Sequence, residues 1–137
     1  MSIEYKLDTK ELDRILKNMP AKRSKIIRKT AFKIEERAKK LAPVALGELM
    51  NSIFTKTEKS SGYGDAVTGA RESNPDVNFI PESEFPVPEG GAIIGAAVEY
   101  AVFVELGTSR MATRPFLSVA GEMTRNDFEN ELKELTE

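Results

Sequence analysis

Residues 20–42 read PAKRSKIIRKTAFKIEERAKKLA, and this stretch decides the fold. Ile27, Ala31, Ile34, Ala38 and Leu41 fall at spacings of four, three, four and three, which puts them on one stripe of an α-helix. Pro20 suits the first turn, where its missing amide hydrogen would have no partner. Pro43 ends the helix, because the residue before a proline is pushed out of helical geometry. Lys22, Lys25, Lys29, Lys33 and Lys40 lie largely off the stripe, and Glu36 is spaced to pair with Lys40. These lysines read as a solvated face. The stripe itself must lie on other apolar elements, which the flanking sequence has to supply.

Upstream, Asp8, Thr9, Lys10 and Glu11 have the pattern of a helix start, with Asp8 capping free amides and Glu11 placed to reach back. Leu12, Ile15, Leu16 and Met19 mark the apolar face of that helix. Downstream, Gly47 supplies a flexible turn, and residues 49–57 are rich enough in β-branched and aromatic side chains to predict a strand. Residues 92–98, AIIGAAV, are apolar throughout and predict a buried central strand whose glycine admits close backbone approach. Residues 100–106 fit a strand through Tyr100, Val102, Val104 and Leu106. They fit a helix equally through Tyr100, Phe103, Val104 and Gly107, and both readings stay open. A last helix is predicted over residues 115–135, capped by Thr113, with Phe116, Ala120, Met123, Phe128, Leu132 and Leu135 as apolar contacts and an acidic outer face.

Residues 58–90 hold four of the seven prolines together with Gly62, Gly64 and Gly69, a composition that argues against regular structure. Structureless loops beyond about 12 to 15 residues are uncommon inside compact domains. Tyr63, Val77, Phe79, Ile80, Phe85 and Val87 make this one too apolar for a tether, so the expectation is a segment that becomes ordered by docking on a neighbouring subunit. The plainer alternative is a hairpin near residues 77–81. The elements together predict an α+β fold, with N-terminal helices and a C-terminal helix packed on a small, mainly antiparallel sheet, in one domain over residues 1–137.

Composition narrows the chemistry. With no cysteine and no histidine, disulfide frameworks, thiol nucleophiles, imidazole bases and Cys/His zinc sites are excluded by inventory. No apolar run approaches a membrane span, and the start MSIEYK lacks the apolar stretch of a signal peptide. Net charge is −2, but residues 1–42 hold 13 Lys/Arg against 6 Asp/Glu, leaving 7 against 16 afterwards. That split, +7 against −9, fits either a nucleic-acid arm or one subunit surface that meets the opposite surface of its neighbour. Glu99 and Glu105 are the remaining acid–base candidates, with no evident partner. Gly62-Tyr63-Gly64 and Gly90-Gly91 lack the spacing and the Lys-Ser/Thr of a phosphate cradle. No cofactor, metal or catalytic residue is therefore expected.

Two stretches carry a resemblance. Ala42-Pro43-Val44-Ala45-Leu46-Gly47-Glu48-Leu49-Met50-Asn51-Ser52-Ile53 is one; Glu99-Tyr100-Ala101-Val102-Phe103-Val104-Glu105-Leu106-Gly107-Thr108 with Arg114-Pro115-Phe116-Leu117 is the other. In order and spacing they resemble the head–tail joining and tail-completion proteins of siphophages. In that family an amphipathic helix ends in Ala-Pro-Val, a Gly-x-Leu-x-x-Ser-Ile strand follows, and Tyr-Ala-x-x-Val-Glu-x-Gly-Thr precedes Arg-Pro-Phe-Leu. The chain departs from the pattern at Ala45-Leu46-Gly47, where the family often has Asp-Thr-Gly, and at Glu48, where a basic residue commonly stands.

The resemblance implies a structural virion protein at the neck or upper tail, made in the host bacterial cytoplasm. It would form a homo-oligomeric ring beside head-closure, tail-terminator or tail-tube proteins, with no enzymatic activity and no membrane contact. Pro43 and Gly47 would then shape a turn, Tyr100 and Phe103 fill a core or subunit contact, and Gly107 permit a bend beside Thr108. Glu105 and Arg114 would hold the last helix, entered through Pro115 and Phe116, against the sheet, or bridge subunits of the ring. The alternative is a DNA-binding protein that uses the basic helix over residues 20–42.

Overall fold

The computed structural model describes residues 2–7, 9–43 and 45–136, with the side chains of Glu11, Leu132, Leu135 and Thr136 set aside. The predicted Asp8 cap, the reach of Glu11, Val44 of the Ala-Pro-Val stretch and the contacts of Leu132 and Leu135 thus lie outside what is described. The order is β1 (Glu4–Lys6), α1 (Lys10–Ile15), α2 (Pro20–Leu41), α3 (Gly47–Asn51), β2 (Ile53–Thr57) and α4 (Tyr63–Ser73). A 3-10 turn (Glu82–Glu84), β3 (Ala92–Ala96), α5 (Ala101–Leu106) and α6 (Leu117–Thr136) follow. The fold is α+β, with a small antiparallel sheet ordered β1-β3-β2.

The central position of β3 follows from its composition, since a strand of small and branched residues has no polar side chain to offer solvent on either face. Its register pairs Glu4 with Gly95 on one side and Phe54 with Gly95 on the other. Successive side chains of a strand point to opposite faces, and residues 92–98 sort accordingly. Ala92, Ile94, Ala96 and Val98 join the larger core with Ile27, Ala31, Ile34 and Ala38 of α2, whereas Ile93 and Ala97 join a second core with Phe54, Ala66, Ile80 and Phe85. Helix α2 packs on β2, β3 and α6, and its stripe is buried as the spacing predicts. Leu41 at its end, Met19 before it and Met123 of α6 are exceptions, each exposed.

The second core corrects the reading of residues 58–90. Instead of an extended loop, they form α4 and the 3-10 turn, which cover the far face of the sheet. Tyr63, Ala66, Val67 and Ala70 have the spacing of an amphipathic helix, which the surrounding glycines obscured. Phe54 meets Tyr63 and Phe85 edge-on, with centroids 5.5 and 5.0 Å apart, and the Tyr63 hydroxyl donates to the Ile80 carbonyl at 2.5 Å. The apolar residues thus dock on their own sheet, not on a neighbour. No hairpin forms near residues 77–81; a single bridge joins Phe79 to Val98. A Cβ at Gly95 would stand 2.7 Å from Phe85 Cε1, so the predicted close approach at this glycine is made by an aromatic ring.

The strand expected over residues 49–57 begins only at Ile53. Leu49, Met50 and Asn51 belong to α3, which buries Leu49, and β-branched and aromatic residues start where the helix stops. Gly47 is the first residue of α3 and has no left-handed backbone, so its expected role as a flexible turn is not what the chain uses there. Residues 101–106, left open between strand and helix, are helical.

Candidate functional site

The Tyr100–Leu117 stretch folds as one unit, and its organiser is Glu105. Tyr100 packs half-buried against the larger core while Ala101, Val102 and Val104 face inward, which turns Glu105 to the inner side of α5. The residue is 7% exposed. One carboxylate oxygen accepts from the amides of Phe116 at 2.8 Å and Leu117 at 3.1 Å, and the other from the amide of Ser118 at 2.9 Å. The first amides of a helix have no acceptor within it, and the dipole there favours negative charge, so Glu105 caps α6 from the preceding helix.

The expected Glu105–Arg114 pair is therefore corrected. Among the described residues no ion pair joins them: the Glu105 oxygens are taken by backbone amides, and the Arg114 side chain is exposed. Arg114 contributes its own amide, which donates to the Val104 carbonyl at 2.8 Å. Thr113 does not cap α6 either; its hydroxyl donates to the Glu105 carbonyl at 2.6 Å. Gly107 has φ +77°, and a Cβ there would stand 2.9 Å from the Thr113 nitrogen. The chain then turns over Thr108, whose Oγ accepts from the amides of Arg110 and Met111 at 3.2 and 3.0 Å. Pro115 is exposed, and Phe116 is fully buried in the larger core. An acid–base role for Glu105 does not suit a carboxylate whose oxygens are engaged by three amides, and Glu99 lies exposed.

What this unit turns outward is apolar and basic. Phe103 is 51% and Leu106 64% exposed, three residues apart on one side of α5, so Phe103 is not the core residue that one reading expected. Met111, 40% exposed, and the exposed Arg110 lie on the turn that follows. Leu106, Arg110 and Met111 were missed in the sequence. The helical spacing of Phe103 and Leu106 was the available signal, and only the choice of helix over strand makes it legible.

The second predicted region, the basic face of α2, divides in two. Lys29 pairs with Glu131 at 3.3 Å, Lys33 with Asp127 at 3.0 Å and Lys40 with Glu36 at 3.2 Å. Arg37, not singled out in the sequence, adds a bond to Asp127 at 3.0 Å and another to the Thr124 hydroxyl at 2.9 Å. Lys33 and then Arg37 hold the Asp127 carboxyl below its ordinary range. Lys29, Lys33 and Arg37 of the basic head thus meet the acidic remainder inside one molecule, whereas Lys40 pairs within the head. Lys22 and Lys25 are exposed, and no ion pair among the described residues engages them.

Pro43 is half-buried between α2 and α3, where its carbonyl accepts from the Leu46 amide at 3.0 Å. Burial pushes the Tyr100 hydroxyl far above its ordinary range. The facing Glu48 carboxylate adds to the shift without reaching hydrogen-bond geometry. Among the described residues no three carboxylates converge as a metal site requires, and no helix is long and apolar enough to cross a membrane. Compared with protein-family models, curated proteins and solved structures, the chain matches none.

Proposed function

We propose that the chain is a structural subunit of a long-tailed bacteriophage virion, acting in tail completion or head–tail joining as one member of a ring at the neck. Its partners would be its own copies and the flanking head-closure, tail-terminator or tail-tube proteins. The observation that carries this reading is the way the Tyr100–Leu117 unit uses its residues. Its one buried carboxylate is spent on holding α6, and its outward face presents Phe103, Leu106, Arg110 and Arg114. Such a unit works through surfaces, as the resemblance of the same stretch to siphophage neck proteins implies. The test is to silence the gene in the parent phage and score particles by electron microscopy. Filled heads beside unjoined or malformed tails are expected, and normal infectious virions would remove the proposal.

Nucleic-acid binding through α2 is a second reading, favoured by one observation: Lys22, Lys25 and the neighbouring Arg28 are exposed and outside the ion pairs formed among the described residues. Duplex binding with a steep salt slope, lost when these cations are replaced by alanine, would support it. Unchanged binding in that variant would reject it.

A further inference from the structure

We infer that the end of α5 and the turn after it dock on the acidic face of α4 of a second copy of this chain; this names the subunit contact and rests on the assembly reading above. The donor surface has an apolar centre and a basic rim. Phe103, Leu106 and Met111 are three of the large hydrophobic residues left exposed, and the exposed Arg110 and Arg114 belong to the same turn. The turn is folded back on the helix and held by its own backbone: the Thr108 amide donates to the Met111 carbonyl at 2.9 Å, and the Arg114 amide to the Val104 carbonyl at 2.8 Å. A surface fixed in this way loses little conformational freedom on binding. Among the described residues neither guanidinium takes part in an ion pair.

Charge chooses the occupant. Residues 58–90 hold seven acidic side chains against two basic ones, Lys59 and Arg71. Asp65 and Glu72, seven residues apart, share one exposed side of α4, and Asp76 follows them. Glu82 is engaged by Lys56 at 3.4 Å, but no described ion pair takes up Asp65, Glu72 or Asp76. The positive rim and the negative face are thus on the same molecule, and no hydrogen bond or ion pair among the described residues joins one to the other. Two different surfaces that complement each other between copies make a head-to-tail contact, the kind that closes into rings. Electrostatic complementarity of this type sets partner and register, and it weakens with salt.

A charge swap tests the pairing. Four samples are compared by sedimentation velocity over a concentration series at low and high salt: the natural chain, R110E/R114E, D65K/E72K and an equimolar mixture of the two variants. The natural chain is expected to associate, more weakly at high salt, and each variant alone to sediment as a monomer with an unchanged thermal melt. The mixture is expected to associate again, since each contact then joins either a natural loop to a natural helix or a reversed loop to a reversed helix. A natural chain that stays monomeric, a variant that associates like the natural chain, or a mixture that stays monomeric would each overturn the inference. So would duplex DNA binding that R110E/R114E abolishes, because it would assign the loop to nucleic acid. If a reversal variant does not fold, R110A/R114A and D65N/E72N take its place, and association unchanged in either has the same meaning. The outcome is separable from the silencing experiment: defective particles on silencing together with normal particles from R110E/R114E would leave the virion proposal standing and remove this contact.

Discussion

Replacing Glu105 by alanine removes the acceptor of three amides in a site that is 7% exposed. Hydrogen bonds to a charged group contribute about 1.5–3 kcal/mol each, and a buried donor left without a partner costs about 1–3 kcal/mol. The amides of Phe116 and Leu117 are buried and that of Ser118 only partly so, which leaves water able to serve the last. A loss of roughly 3–5 kcal/mol follows for Glu105→Ala. At about 2.1 cal/mol/K per residue, a chain of 137 residues melts lower by about 10–17 °C. Glu105→Gln keeps one acceptor but turns an amino group toward a donor, so it should fall between the two, down by roughly 1.5–2.5 kcal/mol. Arg114→Ala is the control; an exposed side chain outside any described ion pair should change stability by no more than about 0.5 kcal/mol. Urea unfolding followed by far-ultraviolet circular dichroism gives all three values. If Glu105→Ala unfolds at the wild-type midpoint, or Arg114→Ala is as damaging as Glu105→Ala, the capping argument fails and the charged pair regains its place.

Gly107→Ala forces a side chain onto φ +77° and against the Thr113 nitrogen, and should cost about 1–3 kcal/mol by urea midpoint; an unmoved midpoint would show that the turn relaxes freely. Gly95→Ala drives a methyl into the Phe85 ring and should cost about 1–3 kcal/mol, partly relieved by Phe85→Leu in the same chain. Additive losses in that double-mutant cycle would contradict the contact. The raised pKa of Tyr100 means that the folded state keeps its proton after the unfolded chain has begun to release it near pH 10, so the stability contributed is complete below that pH and falls as pH rises. Tyr100→Phe should flatten the alkaline fall in urea midpoint, and identical slopes in the two proteins would refute the assignment.

Legibility in the sequence followed burial. The stripe of α2 and the apolar run of β3 were readable because one environment dictates each of their residues: one apolar side for the helix, two for the strand. The α4 segment was not readable, because its packing spacing, Tyr63 to Ala70, is short and interrupted by Gly64 and Gly69, and only the apolar second face of β3 creates the demand for a covering helix. The boundary between α3 and β2 failed for a related reason, since Leu49 serves a helix and a strand core equally well. At the candidate site, the sequence pointed to a pairing of Glu105 with Arg114, whereas the carboxylate takes three backbone amides and the Arg114 side chain is exposed. A carboxylate that caps a helix eleven residues on leaves no periodic trace, whereas an acid and a base nearby always suggest each other.

The order β1-β3-β2 also has a meaning in time. Strand β1 pairs with residues about ninety positions later, Glu4 with Gly95, and β2 waits for the same strand. A chain emerging from the ribosome therefore makes both outer strands before the one that unites them. Throughout that interval the stripe of α2 has neither the centre of its sheet nor α6 to lie on. Contacts so distant in sequence form slowly, because loop closure must precede any gain from packing. Until residues 92 onward emerge, only α3 and β2 are there to cover the apolar stripe of α2, and the like charges on the outer face of that helix oppose its meeting another copy in that interval.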